Sequence, residues 1–205
     1  MARICCGSLL SWKAKNGAMA MIERLSIPEV FLYTPKRHGD ARGFFVETFN
    51  RALIEPLTGP LDWVQDNHSR SEPAGVVRGL HFQIGAFAQD KLVRCLRGSI
   101  LDVAVDIRHG SPTFGQHVSA LLSEDNGVQI FVPKGFAHGF ATLTPGVEVA
   151  YKVTNYYSAA HDRGIRFDDP ALGIDWRLPV SAPVLSDKDA KLPLLADAPA
   201  YFRFS

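Results

Sequence analysis

The 205-residue chain is long enough for one sizeable domain, and a fold of this size buries roughly 70% of its unfolded surface without needing a disulfide or metal staple. Twenty-two basic residues against twenty-one acidic ones leave a formal charge of +1, and no basic tract stands out, which argues against non-specific binding to nucleic acid or anionic membrane. With 46% hydrophobic residues and no long apolar run, the composition is that of a soluble globular protein, and any anionic ligand has to be held by a local cluster.

Residues 1–20 differ in character from the remainder of the chain. They carry Arg3, Lys13 and Lys15 but no acid, and Ala18-Met19-Ala20 imitates a signal-peptidase site. Lysines just before that site and an interrupted apolar patch argue against cleavage. The expectation is a disordered extension, with a single folded domain over 21–205 in the cytoplasm. Three cysteines without a CxxC pair suit a reducing compartment and supply no zinc ligand set.

From Pro28 onward, short apolar stretches separated by turn residues predict an all-β sandwich or barrel. Strands are expected over 30–34 and 44–49, with a loop at 38–43 between them and one early helix over 51–57. Residues 63–69 come next as a strand. Val76 to Gln83 then puts Gly79, His81 and Gln83 on one face, with Leu80 and Phe82 on the other.

Lys91 to Leu96 and Ile100 to Arg108 read as a hairpin around Arg97-Gly98. The second arm sets Leu101, Val103, Val105 and Ile107 against Asp102, Ala104, Asp106 and Arg108, the pattern of an antiparallel strand with one core face. Further strands are expected over 118–122 and 128–132. Residues 140–144 and 147–154 read as a second hairpin, across Pro145-Gly146. Residues 158–205, rich in Pro, Asp and Ala, have no sustained period and are expected to wrap the barrel.

Pro133-Lys134-Gly135-Phe136-Ala137-His138 is similar to the P-x-G-x-x-H element of cupin jelly rolls. Metal-binding cupins add an H-x-H pair and a glutamate from an earlier strand. Here that strand reads His81-Phe82-Gln83, and the next glutamate is Glu124, so the donor set for a metal is poor. A histidine used as a base suits these residues better, although His81 as a core histidine and His138 as a turn residue also fit. Tyr151 shares a face with Val147, Val149 and Val153, which suits either packing or a phenol acting as an acid. Asp189, in the polar run Ser186-Asp187-Lys188-Asp189, fits either a helix cap or a carboxylate that orients a histidine.

Eight stretches taken together carry a resemblance. They are Gly39 to Glu47, Val64 to Ser69, Arg78 to Gln83, Lys91 to Cys95, Ser111 to Gln116, Pro133 to Phe140, Tyr151 to Ser158 and Ser186 to Ala190. In this order, over about residues 22–195, the chain resembles the dTDP-4-dehydrorhamnose 3,5-epimerase family. The resemblance implies a metal-free, cofactor-free jelly-roll homodimer acting on dTDP-4-dehydro-6-deoxy-D-glucose in dTDP-L-rhamnose biosynthesis. It assigns His81 as base, Asp189 as its carboxylate partner, Tyr151 as acid and Lys91 as the cation near the sugar's keto oxygen. It assigns substrate contacts to Arg42, Glu47, Gln65, Asp66, Asn67, Arg78, His138 and Lys188, and a thymine-stacking role to Tyr157. Arg42 is expected to serve the partner subunit's site. Asp162 stands where many relatives carry glutamate.

The chemistry matches the residue types. A C4 ketone acidifies the protons at C3 and C5, so a base, a cation for the enolate and an acid on the opposite face suffice for inversion. Three other readings are compatible with the sequence: a single-carbon epimerase, a non-catalytic sugar-nucleotide-binding jelly roll and, least well, a metal-dependent cupin oxygenase.

Overall fold

The computed structural model describes residues 9–13 and 19–204. Strands β1 (Leu9–Lys13), β2 (Met19–Arg24), β3 (Phe31–Pro35), β4 (Arg37–Asp40) and β5 (Gly43–Val46) precede the helix α1 (Arg51–Thr58). Then come β6 (Gln65–Ser71), β7 (Val77–Gln83), β8 (Lys91–Arg97), β9 (Ser99–Asp106), β10 (Arg108–His109) and β11 (His117–Ser123). Strands β12 (Gln129–Val132), β13 (Phe136–Thr142), β14 (Val147–Val153), β15 (Asp162–Gly164) and β16 (Phe202–Arg203) complete the order.

Two sheets face each other. One runs β1-β2-β3-β12-β8-β14-β6 and the other β11-β9-β13-β7-β15. Between them lies a core that includes Val93, Ile130, Val132 and Val149 from the first sheet and Ile100, Leu122, Phe136 and Phe140 from the second. The helix α1, capped by Asn50 accepting the Ala52 N–H at 3.0 Å, buries Leu53 and Ile54 against Phe31, Tyr33 and Phe131 on the outer face of the larger sheet. The all-β jelly-roll expectation holds.

Four local expectations are corrected. Neither expected hairpin is one: β8 and β9 belong to different sheets, as do β13 and β14, so the turns at Gly98 and Gly146 carry the chain from one sheet to the other. The turn residues are right, since both glycines adopt positive φ (74° and 64°), but a local signal does not say which strand a strand will pair with. Next, β9 is buried on both faces. Its valine face turns outward, where the C-terminal segment covers it with Ile165, Leu172 and Trp176, while Asp102 and Ala104 face the interior. The loop expected at 38–43 is instead the hairpin β4–β5, and strand structure stops at Val46 rather than Phe49. Finally, the extension expected to be disordered through residue 20 contains β1, which pairs with β2 from Leu9↔Glu23 to Lys13↔Met19 and extends the larger sheet. The rest of that expectation lies outside the described residues.

The small sheet also contains the irregularity that shapes the site. Opposite β7, the β13 register shifts between His138 and Phe140, so that His138 faces His81 while Phe140 faces Arg78. The extra residue in β7 breaks the simple alternation, and Arg78 joins His81 and Gln83 on the interior face. Only glycine fits at the contact: a Cβ on Gly79 (φ 132°) would stand 2.6 Å from the Gly139 Cα.

Candidate active site

A cavity of about 660 Å³ opens between the sheets. β7 contributes Arg78 and His81 to it, β8 contributes Lys91, β13 contributes His138, and β14 contributes Tyr151. The C-terminal segment, folded back across the small sheet, adds Lys188 and Asp189. His81 and Tyr151 thus reach one space from opposite sheets, because each lies on the inward parity of its strand.

The Nε2 of His81 lies 2.5 Å from Oδ1 of Asp189, whose side chain is only 5% exposed. The Ser186 hydroxyl in turn accepts the Asp189 backbone N–H at 3.1 Å, closing a short turn that aims the carboxylate at the imidazole. Burial pushes the Asp189 carboxyl up. The His81 hydrogen bond and charge, with smaller help from Ser186 and Lys188, outweigh it and hold the group below the usual carboxylate range.

Lys91 is buried and donates to the His81 carbonyl at 3.2 Å. Desolvation brings its pKa down to about 8, against the opposing pull of Asp102 and Asp162. At pH 7 it is therefore still an ammonium. Tyr151 moves the other way: burial raises its phenol, Arg78 partly offsets this, and the hydroxyl stays protonated at neutral pH.

His138 forms a second imidazole–carboxylate pair, with Nε2 at 3.0 Å from both oxygens of the fully buried Asp102. Burial lowers its pKa more than Asp102 raises it, so this imidazole is neutral at pH 7. The remaining walls are polar. Gln65 donates to Asn67 at 2.8 Å and accepts the Tyr157 backbone N–H at 3.1 Å. Arg78 Nε donates to the Ser71 hydroxyl at 3.1 Å, and Asp162 is ion-paired with Lys188 and within 3.4 Å of the Tyr157 hydroxyl.

This arrangement can abstract a proton on one side of a bound ring, return one on the other and hold an oxyanion between them. A family model described as dTDP-4-dehydrorhamnose 3,5-epimerase matches residues 24–197. The chain belongs to this family. The dTDP-4-dehydrorhamnose 3,5-epimerase of Sinorhizobium fredii is 52% identical over 182 residues, covering 89% of this chain and 93% of that one. The crystal structure of dTDP-6-deoxy-D-glucose-3,5-epimerase from Legionella pneumophila in complex with dTDP-4-keto-L-rhamnose superposes with a TM-score of 0.85 at 47% identity, covering 90% of this chain and 98% of that one. A 3'-monoepimerase from Streptomyces bikiniensis in complex with dTDP-quinovose has a TM-score of 0.78 at 32% identity, over 84% of this chain and 87% of that one.

Of the residues that the family resemblance singled out, His81, Tyr151, Asp189, Lys91, Gln65, Asn67, Arg78, His138, Tyr157, Asp162 and Lys188 line the cavity. Asp66 does not. Strand alternation in β6 turns it outward, where it accepts from Lys152 Nζ at 2.8 Å. Arg42 stands exposed at the tip of the β4–β5 hairpin beside Asp40, and Glu47 accepts from the Asn50 amide at 2.7 Å, so neither lines this chain's cavity. Sequence reasoning missed Asp102 as the partner of His138. The available signal was a carboxylate in the middle of the apolar run Ile100 to Ile107.

Proposed function

We propose that the chain converts dTDP-4-dehydro-6-deoxy-D-glucose to dTDP-4-dehydro-L-rhamnose by inverting C3 and C5. His81, oriented by Asp189, takes the proton from each carbon in turn. The electron pair moves into the C4 carbonyl, and the Lys91 ammonium stabilises the resulting enolate oxygen. Tyr151 then delivers a proton from the opposite face, and both groups regain their starting protonation from solvent. Arg78 and Lys188 offset the charge of the diphosphate, and Tyr157 offers a ring for the thymine. The observation that carries this reading is the entry of the His81–Asp189 pair and Tyr151 into one cavity from facing sheets, with a buried ammonium beside them.

The enzyme works in the cytoplasm as a homodimer, in which the exposed hairpin bearing Arg42, Phe44 and Phe45 reaches the partner's cavity; those phenylalanines are 62% and 70% exposed. Inversion of both carbons is favoured over one because the Sinorhizobium and Legionella relatives, both 3,5-epimerases by description, are far more similar in sequence than the monoepimerase.

The test is product stereochemistry. Purified protein given the keto-sugar nucleotide should yield a product whose ring proton couplings report inversion at both C3 and C5. Unchanged substrate, or a product inverted at a single carbon, overturns the proposal.

A further inference from the structure

Two loops close one end of the cavity, residues 84–90 after β7 and residues 154–161 after β14, and the second carries Tyr157. Gln83 lies between them at the end of β7, only 4% exposed and on the same face as His81. Its Nε2 donates to the Phe87 carbonyl at 2.9 Å and to the Tyr156 carbonyl at 3.0 Å, and its Oε1 accepts the Ser158 N–H at 2.5 Å. A glutamine amide has two N–H donors and one carbonyl, so every polar atom of this side chain is engaged. The bonds to the second loop fall on the residues immediately before and after Tyr157.

The surrounding contacts join the same two loops. Gln89 donates to the Asn155 carbonyl at 2.7 Å, Asn155 donates to the Ala86 carbonyl at 2.6 Å, and the Phe87 ring stacks on His161 with centroids 4.4 Å apart. Tyr157 itself is 60% exposed, and its hydroxyl is within 3.4 Å of Asp162. Its backbone N–H is held by Gln65 Oε1 at 3.1 Å, and Gln83 grips the backbone on either side of it.

We infer that Gln83 is a positioning residue for nucleotide binding, holding the Tyr156–Ser158 backbone so that the Tyr157 ring is presented before the ligand arrives. The inference rests on the reading of Tyr157 as the platform for the base. A loop already ordered in its bound shape spares the ligand the cost of ordering it, so loss of the clasp weakens binding rather than proton transfer.

The experiment uses the full chain, with dTDP affinity measured by calorimetry and kcat and KM measured on the keto-sugar nucleotide. Gln83→Leu keeps the volume and removes all three hydrogen bonds. It should raise both the dTDP Kd and KM by about tenfold, the size expected from loss of one or two buried hydrogen bonds, while kcat changes by less than about threefold. Gln83→Glu, which keeps an acceptor for Ser158 but loses both donors, should move the same quantities in the same direction and supplies the readout if the leucine variant does not fold. In a Tyr157→Ala background, Gln83→Leu should weaken dTDP binding no further. Unchanged dTDP affinity in both Gln83 variants, full additivity with Tyr157→Ala, or a fall in kcat with KM constant overturns the inference. Tyr157→Ala binding dTDP as tightly as the parent overturns the platform reading instead.

Discussion

His81 and Asp189 are 108 positions apart in the chain, yet the imidazole Nε2 and the carboxylate Oδ1 are within 2.5 Å. The pair exists because the C-terminal segment returns across the small sheet and makes the turn over Ser186 to Asp189 there. Loss of a general base typically costs about 10²–10⁴ in rate. His81→Ala should therefore fold with the parent's circular dichroism and lose that factor in kcat. Asp189→Asn should lose activity toward the lower end of the same range, because the imidazole remains but its orientation and charge partner do not. The Asp189 carboxyl is held below its ordinary value, so its contribution to stability is complete above about pH 4 and is lost as pH falls through the lowered value. Acid titration of the fold, followed by near-UV circular dichroism, should lose this component in Asp189→Asn.

As the proposed oxyanion cation, Lys91 should give the rate a signature on the alkaline side. Its pKa is brought down to about 8 by burial, so the ammonium is present at pH 7 and lost above that value. A pH profile of kcat/KM should fall along an alkaline limb with an apparent pKa near 8. Lys91→Met should lower kcat by roughly 10²–10³, as loss of an oxyanion donor does, and should lack that limb.

In the proposed mechanism Tyr151 separates proton removal from proton return. Tyr151→Phe keeps the ring at its place on β14 and removes only the acid. Exchange of substrate protons with solvent, catalysed from the His81 side, should continue in this variant while inverted product falls by about 10²–10⁴. Proton NMR of the recovered substrate measures the exchange.

The wrapping segment is a stability element as well as the carrier of Asp189. Trp176 is 5% exposed, packs on the outer face of the small sheet among Val103, Val105 and Ile165, and donates from Nε1 to the Phe167 carbonyl at 2.8 Å. Trp176→Ala should cost about 3–5 kcal/mol in urea unfolding, the usual loss for a large aromatic cut from a core.

Period and parity account for most of what was legible in the sequence. Alternation alone put His81 and Gln83 on the face opposite Leu80 and Phe82, and set Tyr151 with Val149 and Val153; both arrangements are found in the fold. The same rule puts Asp66 on the face opposite Gln65 and Asn67, outside this chain's cavity. Alternation alone does not give the face of Arg78, which only the family resemblance points to, because the register shift opposite His138 and Phe140 breaks alternation where only the partner strand reveals it. The pairing of β8 and β9 was misread for a related reason. Gly98 marks a turn, but whether the chain stays in its sheet or crosses to the other is decided by the core between the sheets. Asp189 lies in a segment with no period; the residues alone leave it between a helix cap and a carboxylate for His81, and the family resemblance selects the second.

Inversion at C3 and C5 requires one cavity to exchange two different carbon-bound protons. Incubation of the purified chain with the keto-sugar nucleotide in D₂O, with proton NMR of the product, measures this directly. Deuterium at both C3 and C5 of the product, with neither label appearing in His81→Ala, is the predicted result. Label at one carbon alone, or full labelling in His81→Ala, would contradict it.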